Sequence, residues 1–457
     1  MKNLFLVNYS VKGIKTLEKL VSFSFYKKTF SKRMDTQEYN IKGIYGMNGS
    51  GKSGIVASVD ILKNILVNPD YLNNPMVQKN LEAMINKKTG ELFIEVDFVS
   101  DYDTVLRYYR YQMNLLKNKT GKYVIANESL LTKKATSVSK KMEMVFEVVD
   151  GELKYLDNKS DSGLSELIVQ KTANLLEEAS LSSLFFERIY NPNVENDTIY
   201  KNGLFKGIGV LYLFGRKLNV YLEQSDDHRN YVLMNSLQTM TRVEDDNTDT
   251  NLLMNLFARM SKETLDTISI AENVVHRSRY SQFESIVKKM FEFIHIFKSD
   301  LVSIDIDRKE DKDFYRCYLL MNYGSYRVHT EYESTGIKKL IQLYAYLNEM
   351  VQGGIVFIDE FDSNLHDVYL CALLEYLMSY GEGQLCFTTH NVSPMAILKQ
   401  NKKSIDFLSC DGNVTSWTSD GNYSPSKLYK NGMIDGSPFN VDSIDFIGVF
   451  GSDKEDS

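Results

Sequence analysis

The octapeptide Gly46-Met47-Asn48-Gly49-Ser50-Gly51-Lys52-Ser53 fits the pattern G-x-x-x-x-G-K-[ST] at every fixed position. Glycines at this spacing let successive backbone N–H groups turn inward around a phosphate, and a helix that follows adds its positive end. Lys52 then reaches the β- and γ-phosphates, and the Ser53 hydroxyl is placed to ligate Mg²⁺. Far downstream, the apolar run Ile355-Val356-Phe357-Ile358 ends in Asp359-Glu360. A carboxylate at the end of a buried strand can reach Mg²⁺ through water, the role expected of Asp359. Glu360, pointing elsewhere, is placed to polarise an attacking water as a general base. Phe387-Thr388-Thr389-His390 ends the next apolar strand, so His390 is expected one strand over from Asp359, on the ligand-binding edge of the sheet. The set predicts a nucleoside triphosphate bound with Mg²⁺ and hydrolysed. The long chain between loop and acids predicts an insertion.

These residues need a sheet and helices to hold them. Residues 41–45 read as a short strand into the loop. Residues 53–66 read as a helix, because Ile55, Val59, Leu62 and Leu66 recur at i, i+4, i+7 and i+11. Leu4, Leu6, Val21, Phe23 and Phe25 have strand-like spacing. Between 90 and 157 the period becomes two, as in Leu92, Ile94, Val96 and Phe98, and Asp150-Gly151 is a hairpin signal. An antiparallel sheet flanking the site is expected there. Residues 161–290 read as mostly helical, with an apolar run at 204–214, a helical segment at 252–260 and a polar, acidic loop at 224–250. A helix at 283–297 precedes strands at 302–306 and 315–322. Segments 334–351, 355–358, 368–377 and 385–389 then alternate helix and buried strand, the pattern of a parallel sheet with crossover helices. The expected class is α/β in three units: residues 1–160, a helical insertion over 161–290, and residues 291–457.

The chain has 457 residues, 43% apolar and 25% charged, as in a globular protein of two or three units. Its net charge of −7 argues against wholesale nucleic-acid binding. Cys317, Cys371, Cys386 and Cys410 form no C-x-x-C pair, so a reducing cytoplasm is expected. The N-terminus lacks a signal peptide's apolar run, and no stretch approaches the roughly 20 apolar residues that span a bilayer, so no membrane association is expected. A basic run, Lys117, Lys119, Lys122, Lys133, Lys134, Lys140 and Lys141, lies near Tyr108, Tyr109, Tyr111 and Tyr123. It reads either as a phosphate-backbone surface or as solvated hairpin tips over core-facing tyrosines.

In order and spacing the motifs resemble the ABC-type ATPase heads of the SMC, RecF and OLD kind, where an insertion separates two halves of the ATPase. Tyr332-Glu333-Ser334-Thr335-Gly336-Ile337-Lys338-Lys339-Leu340 resembles that group's signature motif in degenerate form, matching at Ser334 and Gly336. Asp359-Glu360 resembles its acid pair, the stretch from Asp362 to His366 its dimer-contact loop, and His390 its switch histidine. Gln112 is the nearest candidate for its glutamine loop. The resemblance implies a split P-loop ATPase head: a mixed sheet with a parallel core, an antiparallel flanking sheet and a helical insertion. It implies ATP and Mg²⁺ as ligands and a homo-oligomer in which two heads sandwich two nucleotides. Gly46, Asn48, Gly49, Ser50, Gly51, Lys52, Ser53 and Asp362 would come from one chain, Ser334 and Gly336 from the other. Hydrolysis is expected to be slow or regulated. Within the group the chain looks most like the ATPase subunits of bacterial anti-phage systems such as Septu, PARIS and abortive-infection loci. That likeness implies a separate effector, a nuclease or toxin. The alternative is a repair or chromosome-associated ATPase acting directly on DNA.

Overall fold

The structure, a computed structural model, describes residues 4–31, 34, 36–101, 105–139, 141–157, 162–189, 203–222, 267–418 and 424–438. The loop expected at 224–250 and the helix expected at 252–260 lie outside them. The chain is mixed α/β, with three sheets and ten α-helices among the described residues. Elements are numbered in chain order. No helix among these residues is long and apolar enough to cross a membrane.

The central sheet runs β17 (Val414–Ser416), β16 (Ile405–Leu408), β3 (Ile41–Tyr45), β15 (Gln384–Thr388), β14 (Ile355–Ile358), β9 (Leu218–Tyr221). All neighbours are parallel except β17. Its strands are short and largely apolar because both faces are covered. Ile44, Ile355, Phe357 and Cys386 face a core built on α1 (Lys52–Val67). Tyr45, Val356, Ile358, Leu385 and Phe387 face the opposite core, with α7 (Thr335–Val351) and α8 (Asp367–Tyr380). Lys42 is the exception in β3: its ammonium is fully buried, 2.5 Å from Asp406 of β16.

A second sheet covers α1 from the other side. It is antiparallel throughout, in the order β2 (Val21–Ser24), β1 (Leu4–Lys12), β4 (Glu91–Ser100), β5 (Arg107–Lys117), β6 (Tyr123–Lys134), β7 (Glu143–Val149), β8 (Glu152–Leu156). Helix α1 is therefore buried nearly all round. Val56, Ile61 and Ile65 are buried along with the expected stripe of Ile55, Val59, Leu62 and Leu66. Helices α2 (Pro75–Met84), α3 (Ser162–Thr172), α4 (Leu181–Arg188) and α5 (Gly203–Lys217) close this layer. Gly215, near the end of α5, lies close on α1, where a Cβ would come within 2.7 Å of the Leu66 side chain.

A third sheet pairs β10 (Asn273–His276), β12 (Phe314–Asn322) and β11 (Ser303–Asp311), with β13 (Arg327–His329) added on β12. Helix α6 (Tyr280–Phe297) covers it with Phe283, Val287, Met290 and Ile294, and the N-terminal half of α7 completes this core. Short helices α9 (Met395–Leu398) and α10 (Pro425–Lys430) flank the central sheet.

Two expectations change. The segment 161–290 is not wholly a helical insertion. Leu218–Tyr221 is the edge strand of the central sheet, and β10 with α6 belongs to the third sheet. A four-residue strand directly after a helix has too few positions to show a period. The basic run is not one surface. Lys117, Lys119 and Lys122 lie at the β5–β6 turn, and Lys133, Lys134 and Lys141 lie at the β6–β7 turn. The length of β6, at about 3.3 Å per residue, holds the two groups roughly 40 Å apart. Lys117 pairs with Glu82 and Lys122 with Glu178. Tyr109, Tyr111 and Tyr123 point into the core, while Tyr108 is half-buried with the Lys133 ammonium 5.5 Å from its ring. Lys140 lies outside the described residues.

Candidate functional site

The parallel strands β3, β15 and β14 end on one edge of the central sheet, and the predicted residues leave from those three ends. After β3 the loop turns with Gly49 and Gly51 at φ of +80° and +103°, conformations that favour glycine. A Cβ on Gly46 would lie 2.5 Å from the Leu408 carbonyl oxygen and 2.8 Å from Ser50 Oγ. The β1–β2 connection braces the loop from outside: Thr16 Oγ1 donates to the Gly49 carbonyl at 3.0 Å, and Leu17 packs on Gly51. Lys52 folds back over the loop, its ammonium donating to the Gly46 and Met47 carbonyls at 2.8 and 3.0 Å. Burial lowers the Lys52 pKa, and the negative fields of Asp359, Glu360, Cys410 and Asp362 oppose that shift. Asn48 is exposed, and Ser53 sits half-buried in the first turn of α1. Ser50 Oγ and Tyr45 OH are buried without a hydrogen-bond partner. Such orphaned hydroxyls beside a loop are costly unless something polar satisfies them.

Asp359 follows β14 directly and is buried. Thr388 Oγ1, at the end of β15, donates to Asp359 Oδ1 at 2.6 Å and accepts from the Glu360 amide at 2.9 Å. The Thr388 carbonyl accepts from Phe361 N at 3.0 Å. One threonine thus fixes both acids. Glu360 is exposed and has a φ of +49°, rare for a residue with a Cβ. His390 leaves β15 next to them, with the Thr389 amide donating to the Ile44 carbonyl of β3 at 3.3 Å. Desolvation and then the Lys52 charge lower the His390 pKa, against the opposing pull of Asp362, Glu360 and Asp359. Asp362 also raises the Tyr45 pKa, after burial. Lys52, Asp359, Glu360, Asp362 and His390 are therefore one electrostatically coupled group.

Ser334 and Gly336 belong to a neighbouring cluster. Ser334 caps α7, its Oγ accepting from the Ile337 amide at 3.4 Å, and is exposed. A Cβ on Gly336 would lie 2.8 Å from the Asn364 carbonyl oxygen, and Thr335 Oγ1 donates to Asn364 Oδ1 at 3.2 Å. Helix α7 packs on β14 and β9, so this cluster lies on the side of the acid strand away from β3. His366 caps α8. Gln112 is not a loop residue: it lies within β5, its amide donating to Glu95 at 2.6 Å. Thr16, Thr388, Lys339 and Cys410 also lie at the site and were not expected from the sequence. Thr388 carried a faint signal, being a hydroxyl one step inside an apolar strand that ends in a histidine. No protein-family model matches the chain, and no curated protein proves similar to it.

Proposed function

We propose that this chain binds ATP with Mg²⁺ and hydrolyses it slowly, as the ABC-type head that its motifs resemble. The observation that carries the proposal is the meeting of Lys52, Asp359, Glu360, Asp362 and His390 at the ends of three adjacent parallel strands, beside a loop with two left-handed glycines. The loop suits a phosphate: a Cβ at Gly49 would meet only open space, and the buried Ser50 hydroxyl lacks a partner. A hydroxyl at Ser53 with a buried carboxylate at Asp359 suits Mg²⁺, which keeps most of its waters. Bound there, the ion would neutralise charge on the β- and γ-phosphates.

In this reading the loop amides and Lys52 orient the triphosphate. Glu360 takes a proton from the water that attacks the γ-phosphorus, and the bond to the bridging oxygen breaks to release ADP and phosphate. His390, kept neutral by its surroundings, offers a hydrogen bond to the γ-phosphate. Exposed Ser334 and half-buried Gly336 would complete the site of a second copy, so that nucleotide joins two heads and hydrolysis separates them. Control of a separate nuclease or toxin in anti-phage defence follows from the family resemblance alone.

The test is steady-state phosphate release by the wild type and Glu360→Gln, with dimerisation followed by light scattering. E360Q should slow release about 100-fold or more, as expected for loss of a general base, and hold an ATP-dependent dimer. Equal turnover in E360Q would rule out Glu360 as that base.

A further inference from the structure

Lys339 lies in the second turn of α7, and its side chain is 2% exposed. It does not project to solvent as a helix lysine normally does. Its ammonium is 2.5 Å from the carbonyl oxygen of Glu360 and also donates to Ser363 Oγ. The ring of Tyr221, on β9, lies 5.8 Å beneath it. The same Glu360 carbonyl accepts from the Ser363 amide at 3.0 Å. The amide of Glu360 is held from the opposite side by Thr388. The left-handed turn that aims the Glu360 side chain is thus clamped at both ends, by β15 at its N–H and by α7 at its C=O.

Helix α7 touches the same loop at a second point, where Gly336 abuts the Asn364 carbonyl. The start of α7, where Ser334 and Thr335 are exposed, is therefore mechanically joined to Glu360 through the contacts of Gly336 and Lys339. We infer that Lys339 is a positioning residue which makes the geometry of Glu360 depend on the seating of α7. This rests on the reading of Glu360 as the general base. A buried ammonium is costly, and one that hydrogen-bonds a backbone carbonyl at a strained turn fixes that turn more firmly than a neutral donor would.

The test is Lys339→Met, which keeps the length of the side chain and removes the donor. ATP affinity, read with a fluorescent analogue, should stay within about threefold, because the phosphate loop is untouched. Turnover should fall about 10–100-fold, the range for a displaced catalytic group. The double variant K339M/E360Q should be no slower than E360Q, since a positioning residue has nothing left to position. Unchanged turnover in K339M, or multiplicative losses in the double variant, would overturn the inference. A second readout does not depend on hydrolysis: amide exchange at Phe361 and Ser363 should quicken in K339M while β14 stays protected. If the wild type failed to hydrolyse ATP, the proposed function would fall, and exchange would still decide the role of Lys339; unaltered exchange refutes it. Should K339M not fold, Lys339→Gln, too short to reach the carbonyl, is read in the same way.

Discussion

Thr388→Val tests whether one buried hydroxyl organises both acids. Valine keeps the branched shape and loses the oxygen. The change removes a donor to the Asp359 carboxylate at 2.6 Å and the acceptor of the Glu360 amide at 2.9 Å. A hydrogen bond to a charged group is worth about 1.5–3 kcal/mol, and a buried amide left unpaired costs about 1–3 kcal/mol. Glu360 is exposed, so water will satisfy part of its amide, and we expect a net loss of roughly 2–5 kcal/mol. Thr388→Ser is the matched control: it keeps both bonds, loses one methyl and should cost about 1 kcal/mol. Differential scanning fluorimetry reads stability, and phosphate release reads turnover. T388V should melt well below T388S and turn over about 100-fold more slowly than it, since a displacement near 1 Å at a reacting group costs that much. Equal melting and equal turnover in the two variants would refute the argument.

Further outcomes follow from other contacts. Gly46→Ala puts a Cβ 2.5 Å from the Leu408 carbonyl and should cost about 1–3 kcal/mol and most of the ATP affinity; unaltered affinity by fluorescence titration would contradict the cradle. Glu128 is buried, and desolvation raises its pKa although Ser180, Leu181 and Tyr111 all donate to it. With a folded pKa above the unfolded one, its stabilising contribution is present at low pH and lost as pH rises through the raised value. The urea midpoint of the wild type should therefore gain on that of Glu128→Gln as pH falls from neutrality toward the ordinary carboxylate range; parallel pH profiles would count against it. Cys410 is exposed close enough to act on Lys52, while burial pushes Cys317 up to about 11 and raises Cys386 further. N-ethylmaleimide should label Cys410 first, and ATP with Mg²⁺ should slow that labelling; a rate indifferent to nucleotide would place the ligand elsewhere.

How far the sequence could be read depended on the range of the interaction involved. The loop at Gly46–Ser53 and the run Ile355–Ile358 were legible because local spacing alone defines them. Helix α1 showed one stripe in sequence, yet two sheets enclose it, so its other faces are buried too. Strand β9 was hidden because a parallel edge strand is recognised by its partner, β14, which lies far along the chain. Helix α6 runs across the boundary expected at residue 290, because its 3.6-residue period reveals a buried face and not the sheet that it buries. Lys42, a charge inside an apolar strand, is explained only by Asp406, which lies far along the chain on β16. Lys339 was readable in part, since it falls four and seven positions before Leu343 and Tyr346, on the buried face of α7. The carbonyl it meets was not readable at all.

Calorimetric titration of the purified chain with ATP and Mg²⁺ addresses the central claim most directly. We predict saturable uptake of one nucleotide per chain by the wild type, and its loss in a Lys52→Ala variant that still unfolds cooperatively. Absence of binding heat in the wild type over a range of temperatures, or equal uptake by K52A, would contradict it.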